Sequence, residues 1–141
     1  MSDPRPVLPT DDELRSILGS ARTIAVVGLS SKPSRPSHEV AAYLQGKGYR
    51  TVPVNPNETE VLGELAFASL LDVDVPVDAV DVFRRVEHTP EIARQAVQIG
   101  AKVLWLQEGI VNEDAYRIAT EGGLEVVMGA CMMRTRERLE G

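Results

Sequence analysis

Thr23-Ile24-Ala25-Val26-Val27-Gly28-Leu29-Ser30 reads as a short β-branched strand that runs into a glycine turn. An apolar run without polar alternation is what a parallel strand covered on both faces requires. Four further runs repeat the pattern, at residues 50–54, 78–83, 102–106 and 124–128. Helical periodicity fills the gaps between them. Val40, Tyr43, Leu44 and Lys47 follow a three-and-four spacing after Pro36. Ile92, Ala96 and Ile99, flanked by Ala93 and Val97, form a second stripe. Thr89-Pro90-Glu91 opens it as a cap with a first-turn proline, and Gly100 ends it. Ala115, Ile118 and Ala119 form a third, between Asn112-Glu113-Asp114 and Gly122-Gly123. A leading helix carries Leu14, Ile17, Leu18 and Ala21 behind a Thr10-x-x-Glu13 capping box.

Strands alternating with helices in this way give a parallel sheet with right-handed crossovers. The expected fold is α/β: a doubly wound, Rossmann-like, five-stranded parallel sheet in the order 3-2-1-4-5. Residues 11–141 make the domain, and residues 1–10 are expected as a loose arm. Residues 60–71 read as a loop with a short helix, and residues 131–139 as a polar final helix. Pro53, inside the second strand, lacks a ladder donor and predicts a bulge or local gap.

Composition narrows the function classes. The 141 residues fit one domain, and 43% hydrophobic with 26% charged residues is an ordinary globular balance. This excludes a disordered, collagen-like or disulfide-scaffold chain. No apolar run is long enough for a membrane span, and the first six residues lack the apolar core of a signal peptide. Cys131 is the single cysteine, so no internal disulfide forms and a cytoplasmic location is expected. A net charge of −6 weighs against a nucleic-acid coat, whose affinity comes from neutralising phosphates. A compact phosphate site needs only a few clustered cations.

In an open parallel sheet, ligands bind beyond the carboxyl ends of the strands. The segments at those ends are Gly28-Leu29-Ser30-Ser31-Lys32, Asn55-Pro56-Asn57, Phe83-Arg84-Arg85, Gln107-Glu108-Gly109 and Gly129-Ala130-Cys131. They bring Lys32, Arg35, Arg84 and Arg85 to one rim of an acidic chain. Gly28 permits a tight turn and close backbone approach, and the following helix aims free N–H groups at the same place. Ser30 and Ser31 add hydroxyl donors. Taken alone, the loop also fits a plain turn whose serines cap backbone. Phe83 and Arg84 present planar groups at a strand end, where an adenine can lie against them.

Several signatures are absent. After Gly28, the second and third glycine positions of the dinucleotide fingerprint are Ser30 and Pro33. The second strand ends in Asn55-Pro56 rather than the carboxylate that binds an NAD ribose. No Walker pattern occurs. His38 and His88 stand at no metal-ligand spacing and read as solvated or capping groups. Asp78 and Asp81 flank one strand on opposite faces, which excludes a dyad; Asp81 reads as a buried partner of loop backbone. Trp105 reads as core. Cys131, near a helix start with Arg134 one turn on, is a candidate reactive thiol, although a lone cysteine is more often a small buried hydrophobe.

With these motifs the chain resembles the small CoA-binding proteins. The matching stretches are Ile24-Ala25-Val26-Val27-Gly28-Leu29-Ser30, Lys32-Pro33-Ser34-Arg35-Pro36-Ser37, Val52-Pro53-Val54-Asn55-Pro56, Val80-Asp81-Val82-Phe83-Arg84 and Val103-Leu104-Trp105-Leu106-Gln107-x-Gly109-Ile110. That family is a single Rossmann-like domain, similar to the CoA-binding N-terminal domain of the succinyl-CoA synthetase α subunit. The resemblance implies coenzyme A across the strand ends. Gly28, Ser30, Ser31, Lys32 and Arg35 would hold phosphates. Asn55, Pro56, Phe83 and Arg84 would border adenosine, and Gln107 and Gly109 would line the next crevice. Family members commonly show Asp-Arg-Cys after the last strand, where this chain has Gly129-Ala130-Cys131; roles that need that acid or base are not carried over.

The expected function is therefore binding of coenzyme A or an acyl-CoA without catalysis, with no metal. An NAD(P)-binding oxidoreductase, using Lys32 and Arg35 for a 2′-phosphate, is one alternative. A Cys131-based thiol or redox protein is another, and a purely structural subunit a third. The partner expected is a small molecule rather than nucleic acid or membrane. Leu14, Ile17 and Leu18 leave a homodimer open, since they pack either on the domain or on a second copy.

Overall fold

The computed structural model describes residues 7–140. In chain order the strands are β1 (Thr23–Val27), β2 (Arg50–Val54), β3 (Glu60–Val61), β4 (Glu64–Leu65), β5 (Ala79–Val82), β6 (Val103–Leu106) and β7 (Glu125–Met128). The helices are α1 (Asp11–Ser20), α2 (Pro36–Gly46), α3 (Thr89–Gln98), α4 (Glu113–Glu121) and α5 (Met132–Glu140). Five strands form one parallel sheet in the order β2-β1-β5-β6-β7. They coincide with the five expected runs to within a residue at each end.

The order is of the Rossmann type expected, with one strand reduced. Numbered among themselves, the five full strands run 2-1-3-4-5. Beyond β2, Phe67 makes a single parallel bridge to Val54. Its N–H donates to the Pro53 carbonyl at 2.9 Å and its carbonyl accepts from Asn55 at 2.8 Å. Phe67 thus holds the place of the outermost strand, the third in chain order, and with it the order reads 3-2-1-4-5-6, an arrangement of the 3-2-1-4-5 type. The segment expected as a loop with a short helix is instead the antiparallel pair β3–β4, followed by a 3-10 turn at Leu70–Asp72.

Pro53 makes no bulge. It pairs with Val26 in unbroken register. Arg50 donates to Arg22 and Val54 accepts from Gly28 on the β1 side. Backbone groups alternate sides along a strand, so Pro53 turns its missing donor toward the outer edge, where proline is tolerated.

Two apolar layers cover the sheet. Ala25, Val27, Val80, Val82, Leu104 and Leu106 pack with α3 and α4. Ile24, Val26, Ala79, Val103 and Trp105 pack with α1, α2 and α5. Leu14, Ile17 and Leu18 are buried within the domain, which accounts for the α1 stripe without a second copy. The Thr10 box forms as the spacing predicts: Thr10 Oγ1 accepts from Glu13 N–H and the Glu13 carboxylate accepts from Thr10 N–H. Asn112 caps α4 through Ala115 N–H at 2.8 Å. Thr89 does not cap α3. It lies inside the helix, and its hydroxyl donates to the Val86 carbonyl at 2.7 Å.

The arm expected over residues 1–10 lies outside the described residues up to residue 6. Val7 exchanges two 3.0 Å hydrogen bonds with Met128 on the outer edge of β7. Among the described residues no helix is long and apolar enough to cross a membrane.

Candidate functional site: a cationic cleft at the strand ends

A cleft of about 1000 Å³ opens where the carboxyl ends of β1, β2, β5 and β6 meet the first turn of α2. Gly28, Ser30, Lys32, Arg35 and Asn55 line one side. Phe83, Arg84, Gln107, Gly109 and Cys131 line the other. Two residues expected at the site do not line it. Ser31 is exposed, with its N–H donating to Glu58 at 2.8 Å, and Pro56 is exposed beyond the turn.

Gly28 is the pivot. Its φ is +88°, and a Cβ there would lie 2.7 Å from the Phe83 carbonyl oxygen and 3.2 Å from Arg84 Cδ. Only glycine lets β1 leave the sheet this close to the end of β5. The chain then turns tightly: Ser30 Oγ accepts from Lys32 N–H, and Ser30 N–H donates to the buried Ser37 hydroxyl, both at 3.1 Å. Arg35 stands at the N-cap of α2 and supplies no side-chain cap. The helix therefore presents the partial positive charge of its N-terminus to the cleft.

The cations are the distinctive feature. Elsewhere most described Lys and Arg side chains have a carboxylate within 4 Å. Those without one are Arg22 and Lys102, at the amino ends of β1 and β6, and Lys32, Arg35, Arg84 and Arg85, all on this cleft. Four cations without a carboxylate within 4 Å thus line one space in a chain of net charge −6, which four carboxylates, Glu39, Glu58, Glu87 and Glu108, also line.

The acidic side chains that reach the cleft were not among the site residues expected from sequence, although Glu108 lies in one of the strand-end segments. Glu58 lines it three residues after Asn55, held by Ser31. Glu108 and Arg134 pair across it at 3.7 Å. Asn55 has little amide left for a ligand. Its Nδ2 donates to the Leu29 carbonyl at 3.1 Å and its Oδ1 accepts from Asn57 N–H at 2.9 Å, tying the end of β2 to the end of β1.

Beneath the rim, Gln107 and Asp81 meet inside the sheet. Asp81 has no exposed surface, and its Oδ1 accepts a hydrogen bond from Gln107 Nε2. Asp81 thus bonds a side chain and not the loop backbone expected from sequence. Its Oδ2 is buried without a partner. Burial raises the carboxyl to about 7, against the opposing pull of Gln107. Asp78, at the other end of the strand, is pushed up by burial but held below its usual pKa by the 2.9 Å hydrogen bonds it accepts from Thr23 and Arg22 N–H and by the nearby Lys102.

Asp81 makes the stability of the protein depend on pH. Between about pH 4 and 7 the native state keeps a proton that the unfolded chain has lost, so the contribution of this group falls as pH rises through that window. Asp81→Asn removes the charge and keeps a partner for Gln107. It is expected to stabilise the protein by about 2 kcal/mol at pH 8, with little effect at pH 4. Urea unfolding at the two pH values measures the difference, and an equal effect at both contradicts it.

Trp105 is core, as expected, and also sets the next turn: its indole N–H donates to the Ala130 carbonyl at 2.8 Å. This places partly exposed Cys131 on the cleft, just before α5. Gln107 and Ile110 close a turn at 2.9 Å with Gly109 at φ +83°. His38 and His88 line neither this cleft nor the smaller cavity of about 400 Å³ behind Cys131.

The molecule is similar to several known proteins. An uncharacterized protein of Bacillus subtilis, YneT, is 44% identical over 124 residues, covering 88% of this chain and 92% of the relative. A hypothetical protein from Pyrococcus horikoshii superposes with a TM-score of 0.93 at 42% identity, over 100% of both chains. An ADP-forming acetate–CoA ligase of Archaeoglobus fulgidus is 28% identical over 83 residues, which are 57% of this chain and 12% of the ligase. Residues 22–137 match the family described as CoA binding domain. The chain belongs to that CoA binding domain family.

Proposed function

We propose that this protein is a coenzyme A or acyl-CoA binding module that holds its ligand across the carboxyl ends of β1, β2, β5 and β6 and catalyses no reaction of its own. The observation that carries this reading is the convergence of Lys32, Arg35, Arg84 and Arg85, all without carboxylate partners, around the uncapped start of α2. CoA bears a diphosphate and a 3′-phosphate and so asks for several cations near one another. The family, and the ligase that shares part of its sequence with this chain, support the same ligand. The end of β2 supports CoA over NAD: it offers a carboxamide committed to loop ties where a ribose-binding carboxylate would stand.

Thermal unfolding with and without nucleotides tests the proposal. CoA at about 100 times its Kd is expected to stabilise the native state by about 2.7 kcal/mol, whereas NADH and NADPH leave the Tm in place. A folded sample with no response to millimolar CoA overturns the reading, and a response to NADPH alone replaces it with the oxidoreductase alternative. Mass spectrometry under native conditions reads any co-purified ligand and identifies an acyl group by its mass.

A further inference from the structure

Asp81 is the one acidic or basic side chain buried in the core of the described residues. It stands in register between Val26 on β1 and Trp105 on β6. The layer over that face of the sheet brings Leu29 of the turn after β1, Val40 and Ala41 of α2, and Met132 of α5, none of them charged. The titratable and charged groups on the cleft side are Cys131, the cations Lys32, Arg35, Arg84, Arg85 and Arg134, and the carboxylates Glu39, Glu58, Glu87 and Glu108. A valine here would match Val80 and Val82 and avoid desolvating a carboxyl. What the carboxyl gains is a single contact, to the carboxamide of Gln107.

Gln107 belongs to the cleft. Its residue is buried, yet it lines the opening, and its Oε1 has no protein donor and is not among the sealed polar atoms. An ionised carboxylate only accepts hydrogen bonds. Facing it, the amide must turn Nε2 inward and Oε1 toward the ligand space. A neutral carboxyl carries an O–H and can donate to Oε1, which turns Nε2 outward instead. Asp81 Oδ2 is buried with no other partner, so a proton on the carboxyl finds an acceptor only when the carboxyl turns that O–H toward Gln107 Oε1.

We propose that Asp81 is a positioning residue: through its contact with the Gln107 carboxamide it decides whether the bound ligand meets a carbonyl acceptor or an NH2 donor on the floor of the cleft. The inference rests on the CoA reading and deepens it. With Oε1 outward, Gln107 accepts from an amide N–H or the thiol of a pantetheine arm. With Nε2 outward it repels those donors, so protonation of Asp81 weakens binding.

Two measurements on the full chain test this, comparing wild type with Asp81→Asn. The first is CoA affinity by calorimetry at pH 6.0 and 8.5. Titration of the ligand phosphates affects both proteins alike, so the ratio of their Kd values isolates Asp81. The wild type is expected to gain about tenfold over the variant as pH rises, the scale of one mismatched buried hydrogen bond; an unchanged ratio overturns the proposal. The second uses no ligand. The Gln107 side-chain amide resonances are expected to move with pH in wild type and to stay fixed in Asp81→Asn, and resonances fixed in both overturn the proposal. Wild type that is folded and binds no CoA at either pH overturns the CoA reading, and the ligand part of the proposal with it. The amide titration still decides by itself whether Asp81 sets Gln107.

Discussion

Replacing Arg35 and Arg84 together by alanine is expected to weaken CoA binding about 100-fold while leaving the fold intact. Each guanidinium faces the cleft and neither has a carboxylate partner. On the proposed reading each makes charge-assisted contacts to phosphate worth about 1.5–3 kcal/mol, so two of them account for at least two powers of ten. Neither side chain supports an ion pair, and Arg35 is exposed, so stability should move little. Arg94→Ala is the comparison: that side chain pairs with Glu91 on the surface of α3, away from the cleft, and its loss should leave the Kd within twofold. The double variant should also show a shallower dependence of affinity on salt. Unchanged CoA affinity in the double variant would remove these cations from the binding site.

Gly28→Val is expected to be the most damaging single change near the site. The position requires φ near +88°, and the first added carbon meets the Phe83 carbonyl at 2.7 Å, against backbone rather than a side-chain end that can swing away. A β-branched residue combines the two penalties. A loss of about 3 kcal/mol is expected, together with separation of the ends of β1 and β5. CoA affinity should fall even for the fraction that folds, because Arg84 Cδ packs over the same spot. Chemical denaturation gives the first number and calorimetry the second. A variant with wild-type stability would mean that the two strand ends can part at no cost.

The contrast between these variants shows what can be read from a sequence of this kind. The alternation of apolar runs and helical stripes is a local signal, and parallel strands covered on both faces leave it undiluted. That is why all five full strands and the capping residues Thr10 and Asn112 were legible. The outer strand beyond β2 was not. A single residue, Phe67, holds its place, and one bridge has no periodicity to detect. Pro53 looks like a defect in the linear pattern because the side of the strand its nitrogen faces depends on register, which that pattern does not contain. The rim of the cleft was legible because a parallel sheet carries its loops to a known end. The direction of each side chain was not: Ser31 is exposed and gives only its backbone N–H to Glu58, and Asp81 meets Gln107 across the sheet although 26 residues separate them.

The two margins of the sheet have a consequence for how the protein behaves in concentrated solution. On one side Pro53 offers no donor and Phe67 occupies the neighbouring backbone positions. On the other, Val7 holds the Met128 backbone in both directions. Strand-to-strand accretion between molecules needs an open row of amide donors and acceptors, and both rows are interrupted near their middle or end. Trimming the chain past Val7 would reopen one of them, so a shortened version should form oligomers or fibrils at concentrations where the longer chain stays dispersed.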